Sequence, residues 1–586
     1  MVNNNPNRSP GDYFLDLSNP IQRQYLALRR FFVDGHSAEQ VALEFGYAVP
    51  TVYSLVRDFK AKLTSTEDPF FKESKRGRPK LDHEGEITAL VVAHRKKYRS
   101  VPEIKAALDA QGITVSERYI TSLLEQEGFA RLPRREASVR SNVPATQGIV
   151  APKSVPLDYR HEEFSSELAG LLLFWPFIRN YAIDELIDAS DYPGTSVISK
   201  RSAILSFLAL KLSDIERYSM DDAWCMDRGM GLFAGLNILP KAAWFSSYSS
   251  SITREMNLSF LRQLHVLWCK HGLLSDTMNL DFTAIPYWGD DDPLENNWSG
   301  KRSKAMASML AVLAQEPESG LLCYSDTTIR HRNQNDVVLE FLDFYHSDPK
   351  ANAKIRYLVF DSRFTTYENL SKLNARGLCF ITIQRRSKGL EEKISAVQQG
   401  RWKEIRIMRS NGKGRVVKAS EDTTVLSGYD GELRQVFISR AGKEKPAVII
   451  TNDKSIPLDE LVRKYARRWL VEKEISEQIH FFHLNRNSSG IVVKVDFDLV
   501  MTVLAHNLYK LFAADLEGYS HCEAKTLFTK FIQNAGQVVI SDREIAVKLK
   551  RKRTLPLVMD MLFWHGELQY PAFHGRKLLL SAANTT

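Results

Sequence analysis

One stretch of the sequence, residues 277–361, constrains the fold more than any other because carboxylates interrupt its apolar runs. Alternation and turn residues predict five elements there. They are, in order, a strand over TMNLDFTAIPYWG (277–289), two strands over SMLAVLAQEPESGLLCYSDTT (308–328), a helix capped by an Asn over NQNDVVLEFLDFYH (333–346) and a strand over KIRYLVF (354–360). Asp281 lies in the first strand, and Asp361 directly follows the fourth. A mixed sheet with these two strands side by side would bring both carboxylates within reach of one cation.

A predicted helix further along the chain, LDELVRKYARRWLVEKEISEQIHFFHLNR, carries the next candidate acid. Tyr465, Arg468 and Glu472 recur in it at spacings of three and four residues and therefore share one face. A phosphoryl-transfer site usually needs a third carboxylate to hold two Mg²⁺ ions about 3.5 to 4 Å apart. Glu472, Glu474 and Glu477 are the candidates for that ligand on this helix. The competing interpretation treats the aspartates as caps at strand ends and the glutamates as a solvated helix face.

Length and composition predict a multidomain globular protein. The 586 residues are too many for one hydrophobic core and indicate three to five domains of about 100 to 200 residues each. The longest apolar run, LAGLLLFWPFI (168–178), is much shorter than the roughly 18 to 20 residues that span a bilayer. The N-terminus lacks the apolar segment of a secretory signal, and the five cysteines are scattered without a CxxC spacing. We therefore expect a cytoplasmic protein without a disulfide framework, a zinc site or a membrane partner.

A helix-turn-helix is predicted within LALRRFFVDGHSAEQVALEFGYAVPTVYSLVRDFKAKL (26–63). Ser37 is a candidate N-cap, with Gln40 at the capping-box position. Gly46 supplies the turn, and Pro50 lies near the start of the second helix, where Pro is tolerated. The residues expected to face outward and to reach base edges or phosphates are Thr51, Tyr53, Ser54 and Arg57. The alternative is a small helical bundle without a ligand.

Basic residues are concentrated in two segments. Residues 71–140 hold 15 Lys and Arg against 10 Asp and Glu, and residues 541–586 hold 8 against 4, so together they account for the net charge of +9. Clustered cations favour a polyanion partner because neutralised phosphates release counterions, although two solvated faces are the alternative. KESKRGRPKLD (72–82) resembles an AT-hook, which contacts the narrow minor groove, and it could equally be a basic linker. The cations of this motif predicted to contact DNA are Arg76, Arg78 and Lys80.

These patterns together predict a multidomain α+β protein. Its predicted segments are a helix-turn-helix unit (1–66), the AT-hook-like linker (67–83), a second helical DNA-binding unit with Ser116 as an N-cap (84–135), a linker (136–158), a helical domain (159–275), a core with a mixed sheet (276–515) that contains a β-rich insertion at about 385–450, and a basic helical C-terminal region (516–586). Trp402 in the insertion is a candidate for stacking on a flipped base, although a single Trp is more often part of a core.

Three short motifs carry a resemblance to a known family. LDFT contains Asp281, VFDSRFTT contains Asp361, and YARRWLVE keeps a Tyr-x2-Arg-x3-Glu spacing. The chain resembles, over roughly residues 160 to 515, bacterial insertion-sequence transposases of the DDE class whose RNase H-like core is split by a β-rich insertion. It departs from the family where a Lys often follows the glutamate by seven residues, because that position is Ile479 here.

The resemblance implies an enzyme that cleaves DNA at terminal inverted repeats and joins the freed 3′ ends to target DNA. It implies two Mg²⁺ or Mn²⁺ ions held by Asp281, Asp361 and Glu472, contacts of Tyr465 and Arg468 with double-stranded DNA, and a homodimer that pairs two ends. Two alternatives stay open. One is a catalytically inactive or domesticated DNA-binding regulator, and the other is a nuclease with the same core and no strand transfer.

Overall fold

The computed structural model describes most of the chain. The described residues are 19–63, 70, 86–96, 99–109, 113–129, 152–218, 221, 224–286, 295–299, 304–347, 355–361, 365–385, 387–408, 414–440, 446–484, 492–561, 564 and 568–583. The chain divides into two compact units, residues 1–85 and 86–586. The predicted AT-hook cations Arg76, Arg78 and Lys80 lie outside the described residues.

Short helices form the N-terminal unit. They are α1 (Pro20–Phe32), α2 (Ala38–Phe45) and α3 (Val49–Lys62). Their apolar faces meet in a small core that contains Ala27, Val41, Phe45 and Val52. Helices this short are marginal in isolation, so this shared core is what stabilises them.

The ends of α2 confirm the predicted turn. The Ser37 hydroxyl accepts a hydrogen bond from the Gln40 backbone N–H at 3.3 Å, and the Gln40 side chain accepts one from the Ser37 N–H at 2.9 Å. Gly46 ends the helix with a φ of 63°, in the left-handed region that glycine adopts without strain. Pro50 lies in the first turn of α3, where its missing N–H has no helical partner to lose.

We expect Ser37→Ala to loosen α2 without unfolding the rest of the protein. Losing an N-cap hydroxyl costs about 1 kcal/mol, which corresponds to a roughly fivefold larger opening constant. Amide hydrogen exchange on the full chain should therefore show faster exchange in α2 and unchanged exchange in the strands of residues 277–451. Ser37→Asn, which retains a capping oxygen, is the matched control, and unchanged exchange in the alanine variant would contradict the role of the cap.

A second helical group opens the larger unit. Its helices are α4 (Glu86–Lys96), α5 (Val101–Asp109) and α6 (Glu117–Gln126). They enclose a core of Val91, Ile104, Leu108 and Ile120. The Ser116 hydroxyl accepts a hydrogen bond from the Tyr119 N–H at 3.2 Å, which confirms the predicted N-cap of α6.

Residues 159–275 are largely helical, as predicted. After the strand β1 (Glu162–Ser166) and a 3₁₀ segment (Ala169–Phe174), the helices are α7 (Trp175–Asn180), α8 (Ile183–Ala189), α9 (Lys200–Leu212), α10 (Arg228–Phe233), α11 (Ala242–Ser249) and α12 (Arg254–Lys270). Trp224 and Trp268 are buried in the main core, and Trp244 packs against it. These tryptophans are therefore part of the core rather than of an open binding surface.

A large mixed sheet follows this region. Its strands are β2 (Thr277–Pro286), β3 (Asn296–Ser299), β4 (Lys304–Gln315), β5 (Leu322–Ile329), β6 (Tyr357–Phe360), β7 (Cys379–Ile383), β8 (Lys403–Met408), β9 (Gly414–Val425), β10 (Glu432–Arg440) and β11 (Ala447–Thr451). They lie in the order β3-β4-β2-β6-β7-β11-β10-β9-β8, and β5 pairs with β4. The first and fourth predicted strands, β2 and β6, are therefore neighbours, as expected.

The β-rich insertion extends this sheet rather than forming a separate layer. Its last strand, β11, pairs antiparallel with β7, and β10, β9 and β8 follow outward. The helices among these strands are α13 (Val337–Tyr345), α14 (Tyr367–Ala375) and α15 (Lys388–Ser395). The prediction of an Asn cap on α13 is wrong, because Asp336 occupies the cap position and Asn333 instead accepts a hydrogen bond from the Arg330 N–H.

Two long helices complete the core, α16 (Leu458–His480) and α17 (Val492–Ala514). Almost the whole circumference of α17 is buried, because it packs on β5 on one side and on α9 and α12 on others. No helix among the ranges described above has the length and apolar character needed to cross a membrane.

The prediction of a helical C-terminal region is wrong. After the short helix α18 (Ala524–Leu527) and a π-helical turn (Phe528–Ile532), the elements are β12 (Gly536–Ile540), β13 (Glu544–Leu549), α19 (Leu555–Met559), β14 (Gln569–Tyr570) and β15 (Arg576–Ala582). With β1 these strands form a second sheet, in the order β1-β12-β13-β15-β14. Alternating side chains such as Val538, Ile540, Ile545 and Val547 bury one face of it, and the basic run at 548–553 obscures this period of two in the sequence.

Candidate active site

Asp281 and Asp361 occupy adjacent positions on neighbouring parallel strands. The register between β2 and β6 pairs Leu280 with Phe360, and each aspartate is the next residue along its strand. Residues in register on neighbouring strands direct their side chains to the same face of a sheet. Asp281 is buried, and Asp361 is half-buried. The expected pairing of the first and fourth strands is therefore confirmed, and the shared cation site stays a prediction.

Strand β6 supplies a rigid base for this pair. All four of its residues are buried, because the strand lies between β2 and β7 and is covered on both faces. Near-continuous apolar runs are typical of such central parallel strands. The buried run of β6 ends at Phe360, and the next residue is Asp361. The pairing of β6 with β2 stops at the same point.

Helix α16 packs against β2 and brings a cation to Asp281. The Arg468 Nη1 lies 3.1 Å from Asp281 Oδ2, and both side chains are almost fully buried. At the start of β2, the Lys464 Nζ donates to Thr277 Oγ1 at 2.9 Å. Lys464 and Arg468, one helical turn apart, contact separate positions along β2, so α16 runs along this strand. Asp281 Oδ1 also accepts a hydrogen bond from the Phe282 N–H at 2.9 Å.

The two residues of α16 predicted to contact DNA are both buried. Tyr465 packs in a core with Val359 and Ile381, and its ring lies 5.6 Å from the Arg468 guanidinium. Arg468 instead forms a buried salt bridge with Asp281. Contacts of Tyr465 and Arg468 with DNA stay predictions.

The candidate third carboxylates lie further along the same helix. Glu472 is four residues after Arg468 and therefore on the same face of α16. The side chains of Glu472 and Glu474 are outside what the structure describes. Glu477 is buried, where its carboxylate accepts a hydrogen bond from the Ala524 N–H and lies 3.5 Å from His506 Nδ1. Glu477 thus contacts the C-terminal helices.

The donor chemistry of the aspartate pair suits a hard divalent cation. Carboxylate oxygens are the ligands that Mg²⁺ and Mn²⁺ prefer, and each oxygen has a second lone pair beyond the hydrogen bonds seen here. Among the side chains described, no group of three His, Cys, Asp or Glu residues converges, and the Glu472 side chain is not among them. Asp281 and Asp361, the predicted ligands whose side chains the structure describes, therefore fit a divalent cation.

The start of α16 is anchored by a buried carboxylate, Asp453. Its Oδ1 accepts hydrogen bonds from the Ser455 hydroxyl and N–H and from the Ile456 N–H, and its Oδ2 accepts one from the Tyr357 hydroxyl at 2.5 Å. Burial raises the pKa of Asp453, but these hydrogen bonds outweigh it and hold the pKa at about 2, below the ordinary 3.8. The ionised side chain thus links β6 to the loop that begins α16.

We expect Asp453 to make the stability of this anchor depend on acid pH. Because the pKa of Asp453 is lower in the folded protein, its ionised carboxylate contributes fully to stability above the ordinary pKa of 3.8. This contribution is lost as the pH falls toward 2. Asp453→Asn should lower the free energy of unfolding by about 2 kcal/mol at neutral pH, and the difference from wild type should shrink as pH falls. Urea titrations at a series of pH values measure this, and a difference independent of pH would contradict it.

Three of the four predicted outward-facing residues of the N-terminal unit are exposed, and the fourth, Ser54, is half-buried. Thr51, Tyr53 and Arg57 lie on the solvent-facing side of α3, and Arg57 pairs with its neighbour Asp58 at 3.2 Å. Trp402 of the insertion instead packs beside Leu390 and Phe437, which favours its core interpretation over base stacking.

Sequence reasoning missed a buried ion-pair network that joins α12, β5 and α17. Arg254 Nη1 lies 2.8 and 2.9 Å from the two carboxylate oxygens of Asp496, and its Nη2 lies 3.2 Å from Asp326. Asn257 and Thr327 donate further hydrogen bonds to Asp496. The available signal was an aspartate within the apolar run of α17, where an isolated charge would be costly. The network holds the helical region against the sheet that carries Asp281.

Comparisons with known proteins give one family match, over the part of the chain that contains the aspartate pair. Residues 279–508 match the family model of the transposase DDE domain, and the match includes Asp281, Asp361 and all of α16. No curated protein matches the chain. Among solved structures the chain is similar to one described as a cryo-EM structure of the piggyBac transposase synaptic complex with hairpin DNA. The two are 12% identical, the alignment covers 65% of this chain and 83% of that one, and the TM-score is 0.34. The family match supports a DDE transposase domain over residues 279–508.

Proposed function

We propose that this protein is a DDE transposase that cleaves the ends of an insertion sequence and transfers the freed 3′ ends to target DNA. The observation that supports this proposal is the register of β2 and β6, whose last pair, Leu280 and Phe360, directly precedes Asp281 and Asp361 within the matched transposase domain. The strand order supports an RNase H-like core, because an antiparallel set β5-β4-β2 continues into the parallel set β2-β6-β7.

In this proposal, Asp281, Asp361 and Glu472 hold Mg²⁺ or Mn²⁺. When bound, two such ions supply Lewis acidity for displacement at phosphorus and activate the attacking hydroxyl. Arg468 orients Asp281 by a buried ion pair and neutralises part of the local negative charge. Glu472 lies one helical turn further, on the face of α16 that meets β2. Glu477 is disfavoured as the third ligand because its carboxylate contacts Ala524 and His506.

DNA recognition is assigned to the N-terminal segments and to a homodimer that pairs two ends. Exposed Thr51, Tyr53 and Arg57 on α3 would contact the terminal inverted repeats. The AT-hook-like cations would add minor-groove contacts, and Tyr465 would contact DNA only after leaving its core position. The protein would act in the cytoplasm, at the nucleoid.

We expect the Tyr53→Ala/Arg57→Gln double variant to lose end recognition. Each base contact is worth about 1 to 3 kcal/mol, so the preference for inverted-repeat DNA over unrelated DNA should fall at least about tenfold. Competition binding with the two DNAs measures this preference. Leu43→Ala removes an exposed side chain from α2 instead and should retain it. An equal loss of affinity for both DNAs would show that these residues contact only phosphate.

The test of the function uses the purified chain and DNA that carries the inverted repeats flanking its gene. With Mg²⁺ or Mn²⁺, a transposase cleaves the ends and also yields joined products with a target duplex. Cleavage without joining would instead identify a nuclease. Specific binding without cleavage under any of these conditions would identify the regulator.

A further inference from the structure

The C-terminal sheet carries a basic segment outside the matched transposase domain. Residues 548–553, KLKRKR, hold five cations in six positions. Lys548 is exposed near the end of β13, Leu549 ends the strand and is buried, and Lys550 is exposed again. Lys548 and Lys550 therefore lie on one face, about 6.7 Å apart along the strand direction. Arg551 and Arg553 in the following loop are also exposed.

The backbone of this segment is held in place by several hydrogen bonds. The Lys550 N–H donates to the Ala535 carbonyl at 2.8 Å, and the buried Asn534 amide donates to the Lys550 carbonyl at 3.1 Å. The Lys552 ammonium donates to the Thr529 carbonyl at 3.0 Å, at the end of the preceding helical segment. The exposed cations are thus presented from an ordered loop, which reduces the ordering entropy that binding would cost.

The positive charge of the segment is not neutralised within the described chain. Among the described residues, no ion pair joins any of the five cations to a carboxylate, whereas Lys525 nearby pairs with Asp214. Burial lowers the pKa of Lys552, and the charge of Lys550 lowers it further. Asp542 and Glu544 lie at the opposite end of β13. A dense polyanion is the partner that such a surface fits.

We propose that Lys548, Lys550 and Arg553 form a second DNA-contact surface, which binds duplex phosphates without reading sequence. The inference rests on the proposed function in taking DNA as the polyanion. An anionic membrane is disfavoured because interfacial binding needs apolar anchors beside the cations. Among the described residues, the exposed large apolar side chain of this sheet is Leu579, which is in register with Ala546 on the same face as Lys548. A single apolar side chain offers little surface to insert into a membrane.

The test measures binding of the full chain to a short duplex of unrelated sequence at rising NaCl concentration. Each lost phosphate contact removes about 0.9 from the slope of log K against log salt, so Lys548→Gln/Lys550→Gln/Arg553→Gln should reduce its magnitude by roughly 2 to 3. The matched control, Lys548→Arg/Lys550→Arg/Arg553→Lys, retains the charges and should retain the slope. Both variants should unfold at the wild-type temperature because the three side chains are exposed.

An unchanged slope in the glutamine variant would overturn the inference, and so would an equal fall in the control variant. Weakened binding to phosphatidylserine vesicles with an unchanged DNA slope would assign the surface to a membrane and overturn it as well. If the wild type cleaves the ends and the glutamine variant keeps the wild-type slope, only the proposed surface is refuted. If the slope falls in the glutamine variant as expected but the wild type never cleaves, only the transposase function is refuted.

Discussion

Asp361→Asn should bind the inverted repeats with wild-type affinity and cleave them at least about 10²-fold more slowly, the scale expected when one charge-stabilising group is removed. Asparagine has nearly the same shape as aspartate, so the end of β6 should keep its packing. It lacks the formal charge that holds a hard divalent cation. Because Asp361 follows the last residue paired with β2, the change alters the cation site and leaves the β2–β6 pairing intact.

The matched control is Asp276→Asn, the same chemical change next to the start of the neighbouring strand β2. Asp276 precedes β2 and accepts a hydrogen bond from the Thr277 hydroxyl at 2.8 Å. It is about 17 Å along the strand from Asp281, so its variant should cleave at the wild-type rate. Cleavage and strand transfer are measured with Mg²⁺ and Mn²⁺, and binding is measured without metal. An Asp361→Asn variant that cleaves normally would reduce Asp361 to a cap at the end of a strand.

Arg254→Met should lower the free energy of unfolding of the larger unit by about 3 to 5 kcal/mol, because it leaves a buried carboxylate without its cation. Methionine fills a similar space but donates no hydrogen bond. Asp496 is fully enclosed between α12, β5 and α17, so water cannot replace the guanidinium. Burial raises the pKa of Asp496 and the Arg254 charge opposes that rise, so its loss favours a protonated Asp496. The helical region would then pack less firmly on the sheet.

Two further variants make this result specific to the buried network. Arg254→Met/Asp496→Leu removes two of the three charges of the network and leaves only Asp326, so it should recover part of the lost stability. Arg376→Met breaks an exposed ion pair with Asp343 and should cost no more than about 1 kcal/mol. Urea unfolding of the full chain, followed by tryptophan fluorescence to which Trp268 on α12 contributes, measures all three. A cost for Arg254→Met no larger than that for Arg376→Met would show that the network does not stabilise the fold.

Short-range features were predictable from the sequence because neighbouring residues determine them. The Ser37 capping box, the Ser116 cap and the glycine turn at Gly46 each depend on atoms a few residues apart. The strands β2 and β6 were recognisable from apolar runs that end near a carboxylate. The order of elements between 277 and 361 also led to the expectation that the two aspartates are neighbours, on the condition that their strands pair.

Long-range pairing was beyond such reasoning. Strand β1 pairs with β12, which lies about 370 residues later in the chain, and no residue near either strand indicates which strand it pairs with. The basic run after β13 has the composition of a solvated helix, so its strands were assigned as helix. The insertion strands continue the main sheet because β7 leaves an unpaired edge that β11 can satisfy, and only the assembled sheet shows that edge.

By itself, the sequence determined the candidate acids, the helix caps and the elements that carry them, because these depend on local hydrogen bonds and on the periodicity of side chains. Only the tertiary structure decided that β2 and β6 pair in a register whose last matched residues, Leu280 and Phe360, directly precede Asp281 and Asp361. It also decided that Arg468 forms an ion pair with Asp281, while Glu477 contacts Ala524 and His506. Asp281 and Arg468 are 187 residues apart in the chain. A contact over that distance forms only where the packing of every intervening element brings both groups to one place.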